Sequence, residues 1–331
     1  MGDENVKFVI IGSGNIANTY GDALQKVQNA ELVGVVSSSM KKISKYSHLP
    51  SFPSISEVTV DFDAIIICTP NGLHHHSAIE AAALKKHVLC EKPIDITVEA
   101  IDQMIDACKA NEVKLGVAYQ RRYSSDNPAI KKLINENKLG RIFSVDLAVK
   151  NYRDDAYYES APYRGTYDID GGGPFIQQAC HYIDLYYWYF GKPIKLVSAL
   201  STFVHDIEVE DHGAVICLHK SGMIGTITAS TATKPGFPAK LELYSDKGYV
   251  ILENDVITHW EMDGVENPTS ATASDNKHTG SSNALVNDTT NHETILNDFV
   301  ESIQTGKDPL ITGESAKNAT EMILEIYNGQ F

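Results

Sequence analysis

Three clusters of residues in this 331-residue chain have the types and spacing to do chemistry. The first is Gly12-Ser13-Gly14-Asn15-Ile16-Ala17, which follows an apolar run directly and opens a helical pattern. This is a G-x-G-x-x-A turn. Gly12 permits the tight turn, Gly14 lets a pyrophosphate approach the backbone, and Ala17 lets the helix pack closely on a sheet. The helix N-terminus adds backbone N–H groups and the positive end of its dipole. A ribose-reading group belongs at the end of the next strand. An acid there accepts from the 2'-hydroxyl of NAD, whereas hydroxyl and cationic groups suit the 2'-phosphate of NADP. The chain offers Ser37-Ser38-Ser39, then Lys41 and Lys42, and no acid. That leaves NAD or NADP and leans toward NADP.

The second cluster lies at two further strand ends. Cys68-Thr69-Pro70-Asn71, with His74 three residues on, follows one apolar run; Glu91-Lys92-Pro93 follows another. Ligands of open α/β sheets sit at such strand ends. A lysine there can orient or polarise a reacting oxygen, and Pro93 restricts the backbone at Lys92. The third cluster is Gly171-Gly172-Gly173-Pro174, continuing through Gln177 and His181 to Asp184. The spacing i, i+4, i+7 puts Gln177, His181 and Asp184 on one helix face. Removing a hydride from a carbinol needs a base for the hydroxyl proton, and His has the suitable range.

The elements that must position these groups are legible from periodicity. Apolar runs at 6–11, 31–36, 64–68, 87–90 and 114–118 suit a parallel sheet covered on both faces. Helical patterns lie between them, over 77–86 and 97–110, the latter with Ile101, Met104, Ile105 and Cys108 on one stripe. Asn127-Pro128 reads as a cap with Pro at the first helical position, and Gly140 as the stop of that helix. Strand patterns then dominate. Val145, Leu147 and Val149 alternate with polar residues, and further strands are expected at 194–204, 213–219, 223–229, 240–245, 249–253 and 256–262, with a helix around 174–190. This predicts a mostly antiparallel sheet. The polar stretch 263–291 reads as a long loop, and two helices, one stopping at Gly306, close the chain. The expected fold is α/β: a Rossmann dinucleotide-binding domain over 1–122 and a second α/β domain over 123–331 with a large open sheet. The C-terminal helices are expected to be able to pack back on the first domain.

Composition excludes other classes. Twenty-eight Lys+Arg against 43 Asp+Glu give a net charge of -15, which argues against nucleic acid or an anionic membrane as the main partner. No stretch reaches the roughly 18 apolar residues of a membrane helix. The acidic start, MGDENVKFVIIG, does not read as a secretory signal. Five cysteines (Cys68, Cys90, Cys108, Cys180, Cys217) contain no C-x-x-C pair and read as reduced, buried thiols, with no metal site expected. A cytoplasmic location is expected.

GSGNIA, CTPNGLH, HVLCEKP, YRGTYDIDGGG with its following helix, and TGKDPLITGESAKNATEMILEIY occur in that order over nearly the whole chain. Together they resemble the Gfo/Idh/MocA family of NAD(P)-dependent oxidoreductases. The resemblance implies that Lys92 and His181 are catalytic and flank the substrate carbon and the nicotinamide C4. It implies that Gly12, Gly14, Asn15 and Ile16 hold the pyrophosphate and that Ser37 and Ser38 read the ribose. Thr69, Pro70, Asn71 and His74, with Glu91, fall on the wall beside the cofactor. Arg121, Tyr152, Tyr163, Arg164 and Gln177 fall near the substrate pocket, and Asp184 joins them through the face it shares with His181. Arg121 and Arg164 together could hold a carboxylate or phosphate. The resemblance also implies a homodimer or homotetramer through the second sheet. One departure stands out: many members have Asp four residues before the histidine, where this chain has Gln177. Gln hydrogen-bonds a hydroxyl but is no base, which weakens an inositol-dehydrogenase reading.

The expected reaction is hydride transfer between NAD(P) and a sugar, cyclitol or sugar-derived ketone. One alternative is a glycosidase of the same family that oxidises its substrate transiently on tightly held NAD. Another is a cofactor-binding regulator without chemistry, against which the presence of Lys92 and His181 speaks.

Overall fold

The structure, a computed structural model, describes residues 5–40, 43–124, 126–269 and 289–330. The chain divides into two compact units, Met1–Gln120 with Asn287–Thr320, and Arg121–Val286 with Glu321–Phe331.

The first unit holds a six-stranded parallel sheet. Its strands are β1 (Val6–Ile11), β2 (Ala30–Val36), β3 (Ser51–Phe52), β4 (Ala64–Ile67), β5 (His87–Cys90) and β6 (Leu115–Val117). They lie in the order β3-β2-β1-β4-β5-β6, so the direction of winding reverses between β1 and β4. Such a reversal opens a crevice at the carboxyl ends of the two strands. The strands are apolar because both faces are covered; Phe8, Ile10, Ile65, Ile66 and Ile67 have no exposed surface. Helices α1 (Asn15–Leu24), α2 (His74–Ala83) and α3 (Val98–Ala110) connect them. Helix α3 starts where Thr97 accepts a hydrogen bond from the Ala100 N–H at 3.2 Å, and it buries its predicted stripe. Helix α8 (Thr290–Thr305) packs on α1 and ends at Gly306, whose φ of +78° is the left-handed cap that glycine adopts cheaply.

The second unit is built on β7 (Ile142–Lys150), β8 (Lys195–Ser201), β9 (His212–Leu218), β10 (Ile224–Ser230), β11 (Lys240–Ser245), β12 (Gly248–Glu253) and β13 (Val256–Met262). The order is β13-β12-β11-β7-β10-β9-β8, and every pair is antiparallel except β7 with β10. Alternation along β7 puts Val145, Leu147 and Val149 in the core. Helix α4 (Asn127–Asn135) precedes β7, and α5 (Asp155–Glu159), α6 (Pro174–Gln177) and α7 (Cys180–Phe190) follow it. The first half of α9 (Gly313–Asn328) belongs to the first unit and its second half to this one.

Two local expectations change, and a third lies mostly outside the described residues. Asp126 occupies the N-cap position of helix α4 without a side-chain cap bond, and the helix ends at Asn135, because Asn137 turns left-handed at φ +53° well before Gly140. The single helix expected around 174–190 is two helices. The Ala179 N–H reaches back five residues to the Pro174 carbonyl at 2.8 Å, closing α6, and the ladder restarts from the Ala179 carbonyl. Gln177 is therefore not on one continuous face with His181 and Asp184. Finally, most of the polar stretch 263–291, namely 270–288, lies outside the described residues, as do Lys41 and Lys42.

Candidate active site

In the first unit the candidate groups gather at the carboxyl edge of the parallel sheet. The Gly12 N–H bonds the Val36 carbonyl at 2.8 Å, and the Cys68 N–H bonds the Ile11 carbonyl at 2.8 Å, so the ends of β2, β1 and β4 are stitched in a row. Gly12 has φ +109°, and a Cβ there would sit 2.7 Å from the Cys68 carbonyl oxygen. Only glycine fits that turn. At Gly14 a Cβ would meet nothing within 4 Å, so the space beside the first turn of α1 is open. Gly14 caps α1 without any side-chain bond, which leaves the helix N-terminus facing that space. The Thr69 hydroxyl is buried with no hydrogen-bond partner among the described residues. An open, donor-rich glycine turn beside an unsatisfied buried hydroxyl fits a pyrophosphate-bearing dinucleotide.

At the end of β2, Ser37 is buried and its hydroxyl lies 3.3 Å from that of Ser13 and 3.2 Å from that of Ser39. Hydroxyls rather than a carboxylate line this edge. His74 is fully buried between two loops. Its Nε2 lies 2.9 Å from the Thr69 carbonyl and its Nδ1 3.0 Å from that of Pro93, so it braces the loop after β4 against the loop after β5. Glu91 is buried too. Its Oε1 accepts from the Tyr20 hydroxyl at 2.7 Å and its Oε2 from the Lys92 N–H at 3.1 Å. Burial and the Glu91 charge push the Tyr20 phenol well up, so it stays protonated and donates to Glu91. Lys92 itself is half-buried, two residues beyond β5, in a cis peptide with Pro93. Asp95, which sequence reasoning missed, accepts from the His75 N–H at 3.0 Å and faces its Nδ1 at 2.9 Å, holding the same loop.

In the second unit His181 is half-buried in the first turn of α7. Gln177 donates from Nε2 to the Asp170 carbonyl at 2.6 Å. The glycine run before α6 makes room for protein rather than for substrate: a Cβ on Gly172 would strike the Tyr327 hydroxyl at 2.1 Å, and one on Gly173 the Glu210 carbonyl oxygen at 1.9 Å. The Glu210 carboxylate accepts from the N–H groups of Gly173 at 3.1 Å and Phe175 at 3.4 Å, and from the Tyr327 hydroxyl at 3.0 Å. Burial raises its pKa to about 7. Nothing in the sequence spacing marks this residue.

Two expected substrate contacts become structural ion pairs. Asp184 is 1% exposed and accepts from Arg122 through both oxygens, at 2.7 and 2.5 Å. Burial pushes its carboxyl up and Arg122 pulls it back, leaving it raised. With both oxygens on Arg122, Asp184 anchors α7. Arg121 pairs with Asp255 and lies over the Tyr182 ring at 4.1 Å. Arg164 instead lies 4.3 Å from the Tyr157 ring and 5.9 Å from that of Tyr163, and Arg153 lies 5.5 Å from the same Tyr157 ring. Tyr152 bridges to Ala232 and has the Lys234 ammonium 5.3 Å from its ring. Arg153 and Tyr157 were not singled out by sequence; the one available signal was their place just after the end of β7.

Comparison with known proteins places this architecture. The model of an oxidoreductase family with an NAD-binding Rossmann fold matches residues 6–119, and that of the GFO/IDH/MocA C-terminal domain matches residues 128–251. The chain belongs to the Gfo/Idh/MocA oxidoreductase family. Among curated family members, myo-inositol 2-dehydrogenase of Thermotoga maritima is 22% identical over 324 residues, 94% of this chain and 92% of that protein. Glucose-6-phosphate 3-dehydrogenase of Bacillus subtilis is 33% identical over 163 residues, 45% of this chain and 47% of that protein. Among solved structures, the WlbA dehydrogenase of Bordetella pertussis, in complex with NADH and UDP-GlcNAcA, superposes with a TM-score of 0.85 at 26% identity, covering 98% of this chain and 96% of that one. The first unit is thus a Rossmann NAD(P)-binding fold. Among the described residues no helix is long and apolar enough to cross a membrane.

Proposed function

We propose that this protein is an NAD(P)-dependent dehydrogenase or ketoreductase acting on a sugar, cyclitol or sugar-derived ketone, with Lys92 and His181 as its catalytic residues. The observation that carries the reading is the carboxyl edge of the parallel sheet. Lys92 follows β5 in a loop held by Glu91 and His74, at the same edge as the Gly12–Gly14 turn and the unsatisfied Thr69 hydroxyl.

Gly12, Gly14, Asn15 and Ile16 hold the dinucleotide pyrophosphate at the start of α1, and Thr69, Pro70 and Asn71 line its side. When bound, the nicotinamide supplies or accepts the hydride. The Lys92 ammonium donates to the reacting oxygen and disperses the charge that grows on it. The His181 imidazole takes the hydroxyl proton in the oxidative direction and returns it in the reductive one. Gln177 cannot assist as a base, so His181 carries the proton transfer without a carboxylate at that position. The serines at the end of β2 favour NADP over NAD, since no carboxylate there repels a 2'-phosphate. The outer row Ile216, Leu218 and Ile224, each more than a third exposed, supports a homo-oligomer through the second sheet.

The test is direct. Mass spectrometry of nucleotides released on denaturation, followed by NADH and NADPH titrations, identifies the cofactor. Substrate-dependent change in nicotinamide absorbance then separates a dehydrogenase from the alternatives. Aryl-glycoside cleavage without net absorbance change would replace this reading by the redox-assisted glycosidase.

A further inference from the structure

Four arginines of the second unit differ in what holds them. Arg121 and Arg122 are each held by a carboxylate, Asp255 and Asp184. Arg153 and Arg164 converge instead on the ring of Tyr157, with guanidinium carbons 5.5 and 4.3 Å from its centre. Arg153 also donates from Nη1 to the Tyr152 carbonyl at 2.7 Å, whereas at Arg164 stacking on the aromatic face leaves the guanidinium edge to donate. The Arg164 Nε is buried and has no hydrogen-bond partner among the described residues. A buried charged donor left unsatisfied is costly, so such a group calls for a ligand. The acids of the adjoining helix do not answer it: Asp154, Asp155 and Glu159 are exposed, and Asp154 caps α5 by accepting from the Tyr157 N–H at 3.0 Å.

The same ring connects this cluster to the candidate chemistry. Gln178 donates from Nε2 to the Tyr157 hydroxyl at 3.4 Å, and it lies three residues before His181. The Gln178 Oε1 is itself buried without a hydrogen-bond partner among the described residues. The cluster therefore presents two unmet needs around one tyrosine, a cationic donor and a neutral acceptor. A neutral polyol could meet only the second well.

We propose that Arg153 and Arg164 form an anion subsite, so that the substrate is a sugar carrying a carboxylate or phosphate, with one of its hydroxyls donating to Gln178 Oε1. This rests on the oxidoreductase reading above and narrows its substrate class. The net charge of -15 is no obstacle, because a local pair of guanidiniums, not the whole-protein field, makes the contact.

The experiment is calorimetric binding to the NADPH- or NADH-loaded protein, with charged probes set against neutral counterparts. D-glucuronate and UDP-glucuronate, against D-glucose and UDP-glucose, form the carboxylate arm; glucose 6-phosphate against glucose forms the phosphate arm. In at least one arm the charged probe should bind roughly tenfold tighter or more. That preference should shrink as salt rises from about 50 to 500 mM, a readout that needs no variant. Arg164→Gln should remove most of the preference while NAD(P)H affinity and melting temperature stay put. Equal affinity for charged and neutral probes in both arms, or a preference unchanged in Arg164→Gln, overturns the subsite. Loss of the charged preference with intact nicotinamide turnover would leave the oxidoreductase reading standing; anion binding in a protein that never binds NAD(P)H would sink that reading instead.

Discussion

The two units build their candidate sites by different means. In the first, the backbone does most of the placing: strand ends, a glycine turn and a helix N-terminus bring Gly12, Gly14, Thr69 and Lys92 to one edge of a parallel sheet. In the second, side chains do it. Arg122 and Asp184 pin α7, Glu210 pins the start of α6, and Arg153, Tyr157 and Arg164 stack in the segment after β7. A site placed by backbone is legible from local sequence and tolerates side-chain change. One placed by buried charges depends on partners far apart in the chain and is sensitive to single substitutions.

If each unit contributes one reacting group, Lys92→Ala and His181→Ala should each lower turnover by about 10^2- to 10^4-fold. NAD(P)H affinity, followed by nicotinamide fluorescence, should persist in His181→Ala. Full turnover in either variant would remove the catalytic role proposed for that residue. The contrast in sensitivity is sharpened by Asp184→Ala, which strands Arg122 in the core. Urea unfolding should show a loss of about 3–5 kcal/mol, the usual cost of breaking a buried pair.

Glu210 adds a pH signature confined to the second unit. Its folded pKa, about 7, is raised above the ordinary 4.5 by burial. Between those values the folded state binds more protons than the unfolded state. Stability therefore falls as pH rises from about 4.5 to 7, by up to about 3 kcal/mol from this group. Glu210→Gln should flatten that slope in urea titrations at pH 5, 6, 7 and 8. An unchanged slope would assign the pH dependence elsewhere. The smallest effect belongs to the backbone-built unit. Gly14→Ala places its methyl in open space, so melting temperature should hold within about 1–2 °C while NAD(P)H affinity weakens roughly tenfold, if the pyrophosphate approaches there as proposed. Gly12→Ala, forced to φ +109° and against the Cys68 carbonyl, should lose stability as well.

Sequence alone was sufficient for the class of this protein. Strand, turn and helix signals within a few residues of one another determine a βαβ unit, and the physical requirements of a dinucleotide turn are met inside six consecutive positions. The strand-rich second half and the glycine stop of α8 were legible for the same reason: each depends on periodicity or on one residue's backbone freedom. What the second unit does with its charges was decided only in three dimensions. Asp184 looked like a partner of His181 by helical spacing, yet a residue 62 positions away takes both its oxygens. Arg121 and Arg164 looked like one cluster, yet Asp255, 134 positions on, claims the first. Local pattern sets backbone conformation because φ, ψ and hydrogen-bond ladders involve near neighbours. Which carboxylate neutralises which guanidinium is set by long-range packing, and that choice separates a structural cation from one left available to a substrate.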